Sequence, residues 1–211
     1  MKKTMTKANQ ENLSPAEALE ILKKGNEKFS QSLGYSSELK QQLEDTAKGQ
    51  APFAIVLGCI DSRVPCEIIF DQGIGDIFTC RVAGNIVNED VLGSMEFACK
   101  AAGSKLIVVL GHSKCGAVKG ACDNVELGNL TALVNKIKPA IEAETTTKEN
   151  RNSSNAEFVE NVAKLNVEHV LKQIKAKSPD LAEMINSGAV GLVGAMYDVE
   201  SGKVNFYNKA V

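Results

Sequence analysis

The chain has 211 residues, 24 Lys+Arg against 26 Asp+Glu, a net charge of −2, and 44% hydrophobic and 24% charged residues. That is ordinary usage for one globular domain, so the simplest expectation is a single domain over residues 1–211. The longest clean apolar run, Leu106 to Leu110, is far short of the roughly 20 residues that span a bilayer, and no cluster of Lys and Arg offers phosphate contacts. Neither a membrane nor a nucleic acid is expected as a partner.

Met1-Lys2-Lys3 starts basic, but no apolar stretch follows, so no secretory signal is expected. Ser14-Pro15-Ala16-Glu17 combines a capping hydroxyl, a proline at the first helical position and the acid of a capping box. It predicts a helix to about Phe29, part of an N-terminal arm over about 14–31. With only Ala18, Leu19, Ile21 and Leu22 as a partial apolar face, the arm is expected on the outside of the domain or on a partner. Ala54–Gly58 and Leu106–Leu110 are short continuous apolar runs, the signature of strands buried on both faces. Asp76–Val82 is a third strand candidate. Helical stretches are expected over Pro65–Phe70, Glu89–Ala102, Gly116–Val125 and Asn129–Glu144, the last bent or interrupted at Pro139. Thr145–Asn155 is a polar loop. Phe158, Val162, Leu165, Leu171 and Ile174 recur at helical spacing, and another short helix follows Ser178-Pro179. Ala189–Val199, a turn at Glu200–Lys203 and Val204–Asn208 read as a strand and its hairpin partner. Strands alternating with helices predict an α/β fold. Its centre is a mostly parallel β-sheet flanked by helices, with the N-terminal helical arm at one end and a C-terminal antiparallel edge strand at the other.

Six Cys in 211 residues are too few for a disulfide scaffold. Without a secretory signal, reduced thiols and a cytoplasmic location are expected. Two predicted strands run into metal-binding residue types. One leads to Gly58-Cys59-Ile60-Asp61-Ser62-Arg63, the other to Gly111-His112-Ser113-Lys114-Cys115-Gly116. Ligands of open α/β sheets collect beyond the carboxyl ends of the strands. If these two strands are neighbours, Cys59, His112 and Cys115 converge there. Two thiolates and an imidazole suit Zn²⁺, neutralise it, and leave a fourth position open, the pattern of a catalytic site. His169, the other of two histidines, is read as a surface or boundary residue. Cys66, Cys80, Cys99 and Cys122 are read as packing.

At these residues the chain resembles the β-class carbonic anhydrases. The resemblance rests on Cys59-Ile60-Asp61-Ser62-Arg63, Glu67–Gly73, Arg81-Val82-Ala83-Gly84-Asn85 and His112-Ser113-Lys114-Cys115-Gly116. It implies reversible hydration of CO2 to bicarbonate and a proton by zinc-bound hydroxide. One Zn²⁺ per chain is held by Cys59, His112 and Cys115. Asp61 and Arg63 match the catalytic pair, in which Arg63 can hold the carboxylate and Asp61 can orient the hydroxide or move onto the metal. Gln50, Phe78, Ala83 and Gly116 match substrate-binding positions. Ile60 departs from the small or polar residue common after the first ligand. The resemblance also implies a homodimer or homotetramer.

Overall fold

The computed structural model describes residues 5–31 and 39–207. Met1–Thr4 and Asn208, which sequence reading placed in a basic start and in the last strand, lie outside the described residues.

Among the described residues five strands form one sheet in the order β2-β1-β3-β4-β5. They are β1 (Ala54–Gly58), β2 (Ile77–Arg81), β3 (Leu106–His112), β4 (Gly191–Tyr197) and β5 (Val204–Phe206). The first four pair in parallel, and β5 runs antiparallel to β4 beyond the turn at Glu200–Lys203. The expected α/β class is therefore the observed one. Every residue of β1 and β3 is buried, which is why both read as unbroken apolar runs. From β1 the chain crosses outward to β2, whereas β3 leads the other way to β4. The strand order thus reverses between β1 and β3, where the crevice at their carboxyl ends opens.

The helices, in chain order, are α1 (Lys7–Glu11), α2 (Pro15–Ser30), α3 (Leu39–Thr46), α4 (Cys66–Ile69) and α5 (Glu89–Glu96), followed by α6 (Gly116–Cys122), α7 (Gly128–Val134), α8 (Lys138–Ala143), α9 (Ala156–Lys177) and α10 (Pro179–Asn186). One sheet face, with Ile55, Leu57, Ile107 and Val109, packs on side chains of α5, α6 and α9. The other face, with Val56, Val108 and Leu110, packs on α2 and on Ile69 and Phe70. Among the described residues no helix is long and apolar enough to cross a membrane. The stretch expected as a helix bent or interrupted at Pro139 is interrupted, but before the proline. A 3₁₀ turn at Asn135–Ile137 separates α7 from α8, and Pro139 sits in the first turn of α8, where its missing N–H costs nothing. The turn after α5, Phe97–Ala101, is wound as a π-helix.

The N-terminal arm departs from expectation. The capping box is formed: Ser14 Oγ accepts from the Glu17 N–H, and the Ser14 N–H donates to Glu17. But α2 covers one face of the sheet, with Ala18 and Leu22 fully buried. Two residues without apolar side chains let it dock. Gly25 lies so close to the next layer that a Cβ there would stand 1.8 Å from the Phe70 carbonyl oxygen. Asn26, also buried, donates to the carbonyls of Ile69 and Gly202 and accepts from the Val204 N–H. A count of apolar spacing cannot register either residue.

Candidate metal centre

Cys59 follows the last residue of β1, and His112 is the last residue of β3. Because these strands are paired neighbours, their ends deliver both side chains to one point. Cys115 returns to that point through a tight turn in which Lys114 takes a left-handed conformation, φ 58°, a strained geometry for a side chain of its size. The turn is held to the end of β4. The Ser113 N–H donates to the Tyr197 carbonyl, and Ser113 Oγ accepts from the Val199 N–H. Cys115 then opens α6.

The ligand atoms of Cys59, His112 and Cys115 all lie within 4.8 Å of one another, and all three residues are buried. The two Sγ atoms are 4.0 Å apart. His112 Nδ1 is 2.9 Å from the Ser113 carbonyl oxygen, so the ring proton belongs there and Nε2 keeps its lone pair. Nε2 is buried with no hydrogen-bond partner among the described residues, a costly state for a polar atom unless it has another occupation. The thiols complement it. The hydrogen bond from Cys115 pulls the Cys59 thiol down to about 4 despite its burial, helped by His112 and by the N–H groups of Asp61 and Gly84. Cys115 is pushed up by the same contact with Cys59 and by burial. Ionising one thiol thus opposes ionisation of the other, and a divalent cation would let both be thiolates. Two sulfurs and an orphaned imidazole nitrogen fit a tetrahedral Zn²⁺ site with one position left over.

Asp61 stands beside this group, with Oδ2 4.0 Å from His112 Nε2. Arg63 holds it in a fork: Nε donates to Oδ1 at 2.9 Å and Nη2 to Oδ2 at 2.7 Å, and the Arg63 backbone N–H adds a third bond. These bonds keep the Asp61 carboxyl well below the usual carboxylate range, against a smaller opposing effect of burial. Ile60, between ligand and acid, is 61% exposed and points away from the core.

The carbonic anhydrase family model matches residues 54–204, which contain every element of this site. The chain belongs to the β-class carbonic anhydrase family. It is 35% identical to carbonic anhydrase 2 of Mycobacterium tuberculosis over 205 residues, covering 91% of this chain and 92% of that one. It is 34% identical to the carbonic anhydrase of Mycolicibacterium smegmatis, covering 92% and 93%. Among solved structures it is similar to a β-carbonic anhydrase of Sordaria macrospora, one of two described as tetrameric. There the TM-score is 0.71 and the identity 27%, over 82% of this chain and 88% of that one. It is likewise similar to the β-carbonic anhydrase CafA of Aspergillus fumigatus, with a TM-score of 0.67 and 30% identity over 92% and 90%. As a member of this family the chain is an enzyme, a lyase.

The four expected substrate-binding residues of this carbonic anhydrase divide by position. Gly116 is the first residue of α6, next to Cys115 and exposed. Ala83 precedes Gly84, whose N–H donates to Cys59 Sγ at 3.3 Å. Gln50 and Phe78 are placed before β1 and in the first half of β2, and Phe78 packs against the core cluster that includes Cys59 and Cys115. Gln50 is exposed and precedes the start of β1, whereas Cys59 follows its end, a separation of about 16 Å along the strand. Phe78 pairs with Ile55 in the first half of the edge strand β2, and its ring meets Phe97 edge-on at 6.1 Å.

Three residues that sequence reading assigned no role shape the centre. Arg81, at the end of β2, donates from Nε to the Cys59 carbonyl and from Nη2 to the Asp61 carbonyl, clamping the loop that carries both. Gly84 has φ 68°, which turns its N–H toward Cys59 Sγ. Asn166 of α9 donates to the Gly84 carbonyl at 2.9 Å. The other cysteines are all free thiols. Burial pushes Cys66 and Cys99 up to about 12 and Cys122 to about 11, leaving them protonated.

Proposed function

We propose that this chain catalyses the reversible hydration of CO2 to bicarbonate and a proton, with one Zn²⁺ per chain held by Cys59, His112 and Cys115. The observation that carries the reading is the buried Cys–His–Cys group with Asp61 beside it, Oδ2 4.0 Å from His112 Nε2 and not itself among the grouped donors. Cys59, His112 and Cys115 would hold Zn²⁺, which would supply the Lewis acidity for a hydroxide nucleophile near neutral pH. The protein's own groups do the rest. Asp61, ionised and forked onto Arg63, accepts a hydrogen bond from the nucleophilic oxygen at Oδ2 and so aims its lone pair at CO2. The Gly84 N–H steadies the Cys59 sulfur, and Arg81 fixes the loop that sets the distance between Cys59 and Asp61. Ala83 and Gly116 flank the group where substrate arrives, with the exposed Gly116 N–H at the start of α6 available to a carbonate oxygen. Asp61 moving from Arg63 onto the metal would close the fourth position.

The chain is further proposed to work as a homodimer or homotetramer in the cytoplasm. The tetrameric relatives in Sordaria macrospora support assembly, and so does the placement of Gln50 before β1, at the end of the strand away from Cys59, from which it would reach substrate in a neighbour's site. Six free thiols suit a reducing compartment. Stopped-flow indicator kinetics on zinc-replete protein at pH 8–9 tests the function. CO2 hydration well above the uncatalysed rate is expected, and its absence in protein carrying one zinc per chain would refute the reading.

A further inference from the structure

On the side of the molecule where α8 and α9 meet the loop after β2 lies a cavity of about 260 Å³ with an apolar floor and a polar rim. Ile86 and Val170, both buried, form part of the floor. The rim is Lys136, from the turn between α7 and α8, and His169, Gln173 and Lys177 from α9. The last three stand four residues apart in sequence, so one face of a single helix presents all of them. Among the described residues no carboxylate lines the cavity. None of the four rim side chains makes a hydrogen bond or an ion pair within the described residues, whereas Lys7, Lys28, Lys100 and Lys114 all do.

That inventory is unbalanced in one direction. Two ammonium groups, an imidazole and an amide offer many donors, and only the amide oxygen and one imidazole nitrogen can accept. Burial, with the charges of Lys177 and Lys172, holds His169 below its ordinary value. Gathering like charges around a concave surface raises the local potential and concentrates a counter-ion there. We infer that this cavity is a binding site for a tetrahedral oxyanion dianion of the phosphate class, held by Lys136 and Lys177 with His169 and Gln173 completing its hydrogen bonds. A dianion would draw a proton onto His169 by reversing the sign of its surroundings.

The chain's two histidines make the test direct. Full-length, zinc-loaded protein labelled at histidine Cε1 gives two imidazole signals, His112 in the metal centre and His169 in the cavity. Titration with inorganic phosphate, against sodium chloride at matched ionic strength, is expected to shift the His169 signal saturably and to raise its apparent pKa, with no such effect from chloride. Lys136→Gln combined with Lys177→Gln is expected to weaken the phosphate response about tenfold, the loss of two charge-assisted contacts. Lys172→Gln, which removes a charge near His169 but not a cavity wall, should leave the midpoint within about twofold. A linear or absent response at His169, a response confined to His112, or an equal effect of Lys172→Gln and the double variant would overturn the assignment.

Discussion

His112 gives its two ring nitrogens different tasks. The Nδ1 proton is committed to the Ser113 carbonyl, and Nε2 is left buried with nothing to bond among the described residues. A side chain in that state is tuned for a cation. Asp61 is tuned differently. It lies against the group, yet Arg63 occupies both its oxygens, so it can shape the reaction without being needed to hold metal. Asp61→Asn is therefore expected to retain about one zinc per chain by metal analysis while kcat/KM falls on the order of 10²-fold. A variant that lost its zinc instead would place Asp61 among the ligands. The three donors were legible in the sequence because thiol and imidazole are rare residue types that ended apolar runs. The roles of Gly84 and Asn166 were not legible, although Gly84 lies in the matched segment Arg81–Asn85. One acts through a backbone N–H and the other through a contact between residues 82 positions apart, and neither leaves a pattern in one chain.

Among the elements, α2 shows where sequence periodicity stops short. Its start was legible from Ser14, Pro15 and Glu17, because capping is local chemistry. Its docking was not, because Gly25 and Asn26 contribute closeness and hydrogen bonds rather than apolar area. Gly25→Ala would force the helix off the Phe70 carbonyl and is expected to destabilise by about 1–3 kcal/mol, as overpacking does. Urea unfolding measures this, and a midpoint equal to the parent's would show that α2 shifts at no cost. The loop after α8 holds together in another way. Glu144, though buried, accepts from Thr146, Thr147 and Arg151. Burial alone would raise its carboxyl, but these bonds outweigh it and bring it from 4.5 down to about 2. The folded value is the lower one, so the ionised group stabilises the fold fully above pH 4.5, and that contribution is lost as pH falls from 4.5 toward 2. Glu144→Gln is expected to melt lower at pH 7 but to lose less between pH 4.5 and 2, by thermal denaturation across that range. Parallel declines in both proteins would count against the assigned bonds.

At the scale of the molecule, the ligands sit at the ends of strands buried between two packed faces, β1 and β3. The scaffold that sets their spacing does not depend on the ion, unlike a zinc finger. Chelation is expected to leave far-ultraviolet circular dichroism nearly unchanged. Zinc at a thousandfold its Kd stabilises by about 4 kcal/mol, so its removal should lower Tm by roughly 10 °C for a chain of this size. Collapse of the dichroism on chelation would mean that the metal builds the sheet. The alternation of strands and helices made this architecture legible, whereas the packing of two separate cores was not, since both faces of a buried strand look alike in sequence.

The reversal of strand order between β1 and β3 has a consequence in time. Cys59 and Cys115 are 56 residues apart in the chain, and β2 with α5 must be made between them. A ribosome that has released Cys59 but not yet His112 carries one of the three ligands, with the thiols of Cys66, Cys80 and Cys99, and no pocket. Metal capture in the growing chain thus has to wait until β3 has emerged and paired with β1. The ion is selected by a site whose spacing is already set, rather than by loose cysteines in a nascent chain.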